Sequence, residues 1–381
     1  MQLTYLDNNA TTRIDPRVVD AMTPYLTQWY GNPSSVHAFG ARVAADIEQA
    51  RGQVAACIGA RESEIVFTSG GTEADNAALR GVAAARPRKR HIVISAVEHH
   101  AILETAERME QEGWEVTQIG VDAAGRLDLD GLAAALRDDT LLVSVMLVNN
   151  ETGVVFPLDE VCRIAHERNV LVHTDAVNAI GKTNCDVAQL GVDLLSLSAH
   201  KIHGPKGVGA LYIRRGTPFR SLIVGGPQER HRRGGTHNAA GIIALGKACE
   251  LVSHEPPDTL TRIATLRDRL EREVTERFAN AHVIGRDAER VANTSCICFS
   301  GVTAEAVLML LSEADVCVSS GAACSSGSLE PSHVLRAMHV DPAVAQGQIR
   351  FSLSRFSTDE DIDRLLDVLP GVLERVAVAN A

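Results

Sequence analysis

The chain has 381 residues, 45% of them hydrophobic and 22% charged, which is too long for one small core and ordinary for a folded globular protein. Its formal net charge of -11 argues against a broad nucleic-acid-binding face, and no apolar run reaches the roughly 18–20 residues of a membrane span. The N-terminus MQLTYLDNNATT lacks a basic segment followed by an apolar one, and the eight cysteines are scattered, with no zinc-like spacing. A reducing cytoplasm with mostly free thiols is therefore expected.

In chain order, strand-like runs fall at Glu64–Thr68, His91–Ser95, Leu141–Leu147, Val170–Thr174, Asp193–Ser198 and Val208–Ile213. Most are almost continuously apolar, as strands covered on both faces are. Helical stretches lie between them, such as Thr72–Ala85 and Leu158–Arg168, the second opened by Pro157 with Asp159 and Glu160 in its first turn. This alternation predicts an α/β protein with a mainly parallel sheet. The basic run Arg86–His91 reads as a solvated turn between a helix and a strand. After Glu255-Pro256-Pro257-Asp258 the pattern changes. A charged helix over Thr259–Ala279 precedes a strand at Thr294–Ser300, a helix at Thr303–Ala314, strands at Val316–Ser319 and Gln348–Leu353, and a last helix from Thr358. That predicts a smaller α+β domain.

Six places carry candidate chemistry. Ser69-Gly70-Gly71-Thr72-Glu73, between a strand and a helix, suits an anion held by backbone N–H groups, or equally a plain tight turn. Lys201, in Ser198-Ala199-His200-Lys201, would face the crevice at a strand's C-terminal end, where an amine can condense with a carbonyl group; otherwise it is a surface lysine. Asp175 ends the preceding strand and would open on the same rim, as partner to a protonated ring nitrogen or as a helix cap. His99 follows the strand HIVIS and could stack on a cofactor and exchange protons, or cap a helix. Cys324 sits in SSGAACSSGS with five serines, two glycines and two alanines, a composition that predicts a mobile segment and an accessible thiol. Arg350 alternates with apolar neighbours and offers a fork for a carboxylate, or a structural ion pair. Cys57, Cys162, Cys249, Cys296, Cys298 and Cys317 read as structural thiols, and Cys185 stays undecided.

Together these segments resemble the cysteine desulfurases of the class-V aminotransferase type, in particular the NifS type, nearly from end to end. The resemblance rests on YLDNNATT (5–12), GNPSSVHAFG (31–40), FTSGGTEADN (67–76), NNETG (149–153), HTDAVNAIGK (173–182), SAHKIHGPKGVGALY (198–212), SSGAACSSGSLEPSHVLRAM (319–338) and IRFSLSR (349–355). It implies a fold-type-I transferase: a large domain, residues 13–257, with a mainly parallel seven-stranded sheet, and a smaller α+β domain of residues 1–12 and 258–381. It further implies a homodimer that uses pyridoxal 5'-phosphate, converts L-cysteine to L-alanine and passes the sulfur to an acceptor protein for iron–sulfur assembly or thiolation. Carried over by position, Lys201 would hold the cofactor, Asp175 would face its ring nitrogen and His99 would stack on the ring. Gly71, Thr72, Ser198 and His200 would hold the phosphate, with Thr236 reaching the partner subunit's cofactor. Asn150, Arg350 and Asn8 would hold the substrate carboxylate. Asn150 and Asn178 would also touch the cofactor. Cys324 would carry the persulfide and could share a transient iron–sulfur cluster with a scaffold. Two positions depart from the family pattern: Asn178, where glutamine is usual beside the phenolic oxygen, and His237, where glutamate is frequent. The competing expectations are a selenocysteine lyase or another enzyme of the same fold, and a non-catalytic assembly scaffold.

Overall fold

A computed structural model describes residues 3–321 and 331–380. Twelve strands are numbered in chain order: β1 Thr4–Tyr5, β2 Ile65–Thr68, β3 His91–Ser95, β4 Glu115–Ile119, β5 Thr140–Ser144, β6 Leu171–Asp175, β7 Leu194–Ser198, β8 Gly209–Ile213, β9 Ala281–Ile284, β10 Thr294–Phe299, β11 Val316–Cys317 and β12 Gln348–Ser352. Seven of them form the main sheet in the order β2-β8-β7-β6-β5-β3-β4. The neighbours from β7 through β6, β5 and β3 to β4 run parallel, and β8 is antiparallel to both β2 and β7. The sheet is α/β and mainly parallel, as its apolar runs predict.

The expected strands appear with their ends in place or shifted by up to three residues. The run Leu141–Leu147 gives only Thr140–Ser144, although Val145 and Leu147 N–H go on donating to the His173 and Asp175 carbonyls of β6. The edge strand β4, EVTQI, escapes the sequence reading because it is half exposed and carries few apolar residues. One apolar cluster fills the sheet face under helices Ala38–Cys57, Leu158–His166 and Ala239–Ser253. Another lies beneath helices Gly71–Ala85 and His100–Gln111 on the opposite face. Helices Ala38–Cys57 and Ala239–Ser253 approach closely at Gly246, where an added Cβ would stand 2.7 Å from the Ala50 Cα.

A third cluster is built from the antiparallel sheet β12-β10-β9 and helices Thr259–Arg277, Ala304–Glu313 and Asp359–Asn380. Leu6 of the N-terminal segment is buried in it. β1 pairs in parallel with β11, and the chain continues along β12 through the Asp7–Ser352 bridge. Residues 7–12 thus reach the rim of the main sheet, where Thr12 N–H donates to the His200 carbonyl at 2.9 Å.

Candidate active site

Strand order reverses between β3 and β5, because the chain goes out to β4 and returns on the other side of β3. Ligands of open α/β sheets sit outside the C-terminal strand ends at such a point. Ser69–Thr72, Glu98–His99, Met146–Asn150, Asp175–Asn178 and Ser198–Lys201 all follow strand ends on this rim.

The glycine turn after β2 is tightly fitted. Gly70 has φ 153° and N-caps helix Gly71–Ala85 without a side-chain bond, so the first N–H groups of that helix have no side chain of the cap over them. A Cβ on Gly70 would lie 3.8 Å from Ser198 Oγ, and one on Gly71 would stand 2.7 Å from a Val177 methyl. Thr72 is exposed, and Glu73 accepts from Ser69 N–H at 2.8 Å while pairing with Arg233 at 2.9 Å. His200 meets Thr11 Oγ1 through Nδ1 at 3.2 Å, and burial followed by Lys201 and Lys206 lowers its imidazole to about 4.

The Lys201 amine donates to the backbone carbonyls of Asn9 and Ala10, the second at 3.0 Å. The N-terminal segment therefore aims the lysine. Asp175 is 6% exposed, and its Oδ1 accepts from Val177 N–H at 2.8 Å. Burial raises this carboxyl to about 6, while Val177 N–H and Lys201 act in the other direction. Beneath it lies a layer the sequence reading did not single out. His173 bonds Ser144 Oγ at 2.9 Å and Ser196 Oγ at 3.0 Å, with Asp75 Oδ1 3.6 Å away. Burial, and then the Asp175 charge, hold the Asp75 carboxyl far above its ordinary range.

His99 caps helix His100–Gln111, its Nδ1 accepting from Ala101 N–H at 3.1 Å. Burial, and then Lys201, His100 and His333, bring the ring down to about 4. At neutral pH the ring is uncharged, and the backbone bond assigns its proton to Nε2. The capping role and a place at the site coexist. Arg350 is 5% exposed and is also doubly occupied, donating to Asp7 Oδ1 at 2.9 Å and to the Asn150 carbonyl at 3.1 Å. Its Nε has no partner among the described residues. Asn8 is buried and donates through its amide to the Ser352 carbonyl at 2.8 Å.

The residues present fit pyridoxal phosphate. Asn178 is 7% exposed, yet its Oδ1 has no hydrogen-bond partner among the described residues, which leaves a buried amide group facing unmet chemistry. A buried carboxyl, an amine and a glycine-lined helix N-terminus on the same rim suit a ring cation, an aldehyde and a phosphate. Thr236 is exposed ahead of helix Ala239–Ser253. The departure at His237 has a local reason: its Nε2 meets Glu229 at 2.8 Å, and Glu229 also holds Arg51 at 2.8 Å. Cys324 lies outside the described residues, together with any cluster it could hold. Cys162, Cys185, Cys249, Cys296 and Cys298 are buried, and Cys57 and Cys317 are partly so. No group of metal-ligating side chains occurs among the described residues, and none of their helices is long and apolar enough to cross a membrane.

The aminotransferase class-V family profile matches residues 4–365. Cysteine desulfurase 2 of Trichormus variabilis is 51% identical over 99% of this chain and 94% of its own length. Among solved structures, a NifS-like protein superposes with a TM-score of 0.93 at 39% identity, covering 98% of this chain and all of its own. The structure described as SspA in complex with cysteine superposes with a TM-score of 0.83 at 33% identity, covering 93% of this chain and all of its own.

Proposed function

This chain belongs to the aminotransferase class-V family, among its cysteine desulfurases, and we propose that it works with Lys201 as the activating amine and Cys324 as the sulfur carrier. It is a pyridoxal-phosphate-dependent enzyme that takes sulfur from L-cysteine. The observation that carries the residue assignment is the convergence of the Lys201 amine, the buried Asp175 carboxyl and the Gly70–Thr72 turn on one sheet rim.

When bound, pyridoxal phosphate supplies an electron sink for the pair left at the substrate's Cα. Gly71, Thr72, Ser198 and His200 would hold its phosphate, and Thr236 would reach it from the partner subunit. Asp175, mostly ionised at neutral pH with its carboxyl at about 6, would favour a proton on the ring nitrogen. Asn178, whose buried Oδ1 has no partner among the described residues, would meet the cofactor beside Asp175, and Asn150 would join it. Arg350, Asn150 and Asn8 grip the substrate carboxylate, so Arg350 shares its fork between Asp7 and the amino acid. Lys201 removes the Cα proton, and the Nε2–H of His99 hands a proton to or from the reacting groups. The Cys324 thiolate then attacks the substrate sulfur. The Cβ–S bond breaks, an S–S bond forms, and the electron pair stays on the carbon skeleton, which is protonated to alanine.

The enzyme acts as a homodimer in the cytoplasm and passes its sulfur to an iron–sulfur scaffold or a thiolation protein. Apolar side chains left in water at Leu26, Tyr30, Val36 and Val224 support a dimer face. The test is direct. Cys324→Ser keeps the visible cofactor absorbance but gains no persulfide mass after L-cysteine is added, and Lys201→Ala loses the absorbance. Sulfide release by Cys324→Ser at the parent rate overturns the carrier assignment.

A further inference from the structure

Lys182 closes the turn that follows Asp175, and its half-buried side chain reaches the N-terminal segment at Asn9. The two lysines converge on one residue. Lys201 donates to the Asn9 carbonyl, and Lys182 donates to Asn9 Oδ1 at 3.3 Å. The Asn9 amide cannot turn away. Its Nδ2 donates to Thr294 Oγ1 at 2.9 Å and to the Asn150 carbonyl at 3.1 Å, and its Oδ1 also accepts from Asn293 at 3.0 Å. Both lysines line one cavity of about 70 Å³, together with Glu255 and Arg355.

The groups around the Lys182 amine are mostly cationic or already paired. Lys201 comes from the turn after β7 and Arg350 from β12, and Cys185 and His203 are near. The carboxylates are committed: Asp7 to Arg350 at 2.9 Å and Glu255 to Arg355 at 2.8 Å. Lys182 forms no ion pair among the described residues. Burial, then Lys201 and Arg350, lower its amine to about 7, so near neutral pH the two lysines compete for charge.

We propose that Lys182 is a positioning residue of the desulfurase site that acts through Lys201: held on Asn9, its charge disfavours a proton on the Lys201 nitrogen. Lys201 must be unprotonated to take the substrate's proton, and a neighbouring amine that shares charge with it near neutral pH is one physical route to that state. The proposal rests on the reading that Lys201 carries the cofactor.

The test is a pH titration of the holoenzyme's visible absorption without substrate, which reports the proton on the Lys201 nitrogen. Lys182→Met and Lys182→Gln, neutral with and without a polar end for Asn9, move the midpoint up by about one pH unit. Lys182→Arg, which keeps a charge, leaves it level or lower. Neutral variants that titrate with the parent, or an arginine variant that rises as far as they do, overturn the proposal. If a neutral variant fails to fold, the arginine variant and the other neutral one still decide it. Failure of the underlying reading looks different: Lys201→Ala then keeps the same pH-dependent band as the parent.

Discussion

Glu98 is sealed from water beside the site. Its Oε1 accepts from Met146 N–H at 2.7 Å and Ser95 Oγ at 2.9 Å, and its Oε2 has no partner among the described residues. Burial raises the carboxyl to about 8, so at neutral pH it is largely protonated and the second oxygen carries the proton. The sign of the pH effect follows. Between about 4.5 and 8 the unfolded chain has lost this proton while the folded chain keeps it, so the group's contribution to stability falls as pH rises through that window. Glu98→Gln removes the titration. Urea denaturation of the apoprotein should show the variant gaining on the parent by up to roughly 1 kcal/mol per pH unit up to pH 8, and level above it. His99 has the opposite sign. Its ring is held near 4, so the unfolded chain binds the proton first and His99 favours folding above about 6.5, losing that contribution as pH falls to 4. His99→Gln, which cannot titrate, should flatten the denaturation midpoint over that acid window.

At the scale of elements, the glycine turn at Gly70–Gly71 is set by the contact between β8 and the loop after β2. A Cβ on Gly209 would stand 2.5 Å from the Leu197 carbonyl oxygen and 2.8 Å from the Gly70 Cα, both of them backbone atoms. Neither can rotate away, so Gly209→Ala must push β8 off β7 or lift Gly70 from Ser198. We expect a loss of about 1–3 kcal/mol in denaturant unfolding. Faster cofactor loss on dialysis should accompany it, because the helix N-terminus at Gly71 moves with the turn. Unchanged retention at reduced stability would separate sheet packing from the proposed phosphate contact. The glycines and the helix start were plain in the sequence. The reason Gly209 must lack a side chain was not, since its obstacle belongs to a strand end and a turn far away along the chain.

For the whole molecule, the junction between the main sheet and the second core runs through Arg355. It donates to Asp15 Oδ2 at 2.6 Å and Glu255 Oε2 at 2.8 Å, joining the end of β12 to segments at both edges of the larger core. Hydrogen bonds and ion pairing with Arg17, aided by Arg355, hold the Asp15 carboxyl well below the carboxylate range. Arg355→Met should cost about 3 kcal/mol and increase protease cutting near Glu255–Asp258, where we propose that one domain gives way to the other. Unchanged cleavage there would argue against that boundary. The alternation of apolar strands and amphipathic helices specified the α/β sheet, because strand burial leaves a local mark on composition. The order of motifs likewise pointed to Lys201, Asp175, His99 and Cys324, whose chemistry is carried by residue type. Asn9 as the shared anchor of two lysines, the His173 layer beneath Asp175 and the divided grip of Arg350 left no such mark. Each is a contact between positions distant in the chain, and a side chain's proton affinity is set by burial and by neighbours that only the folded backbone brings within reach.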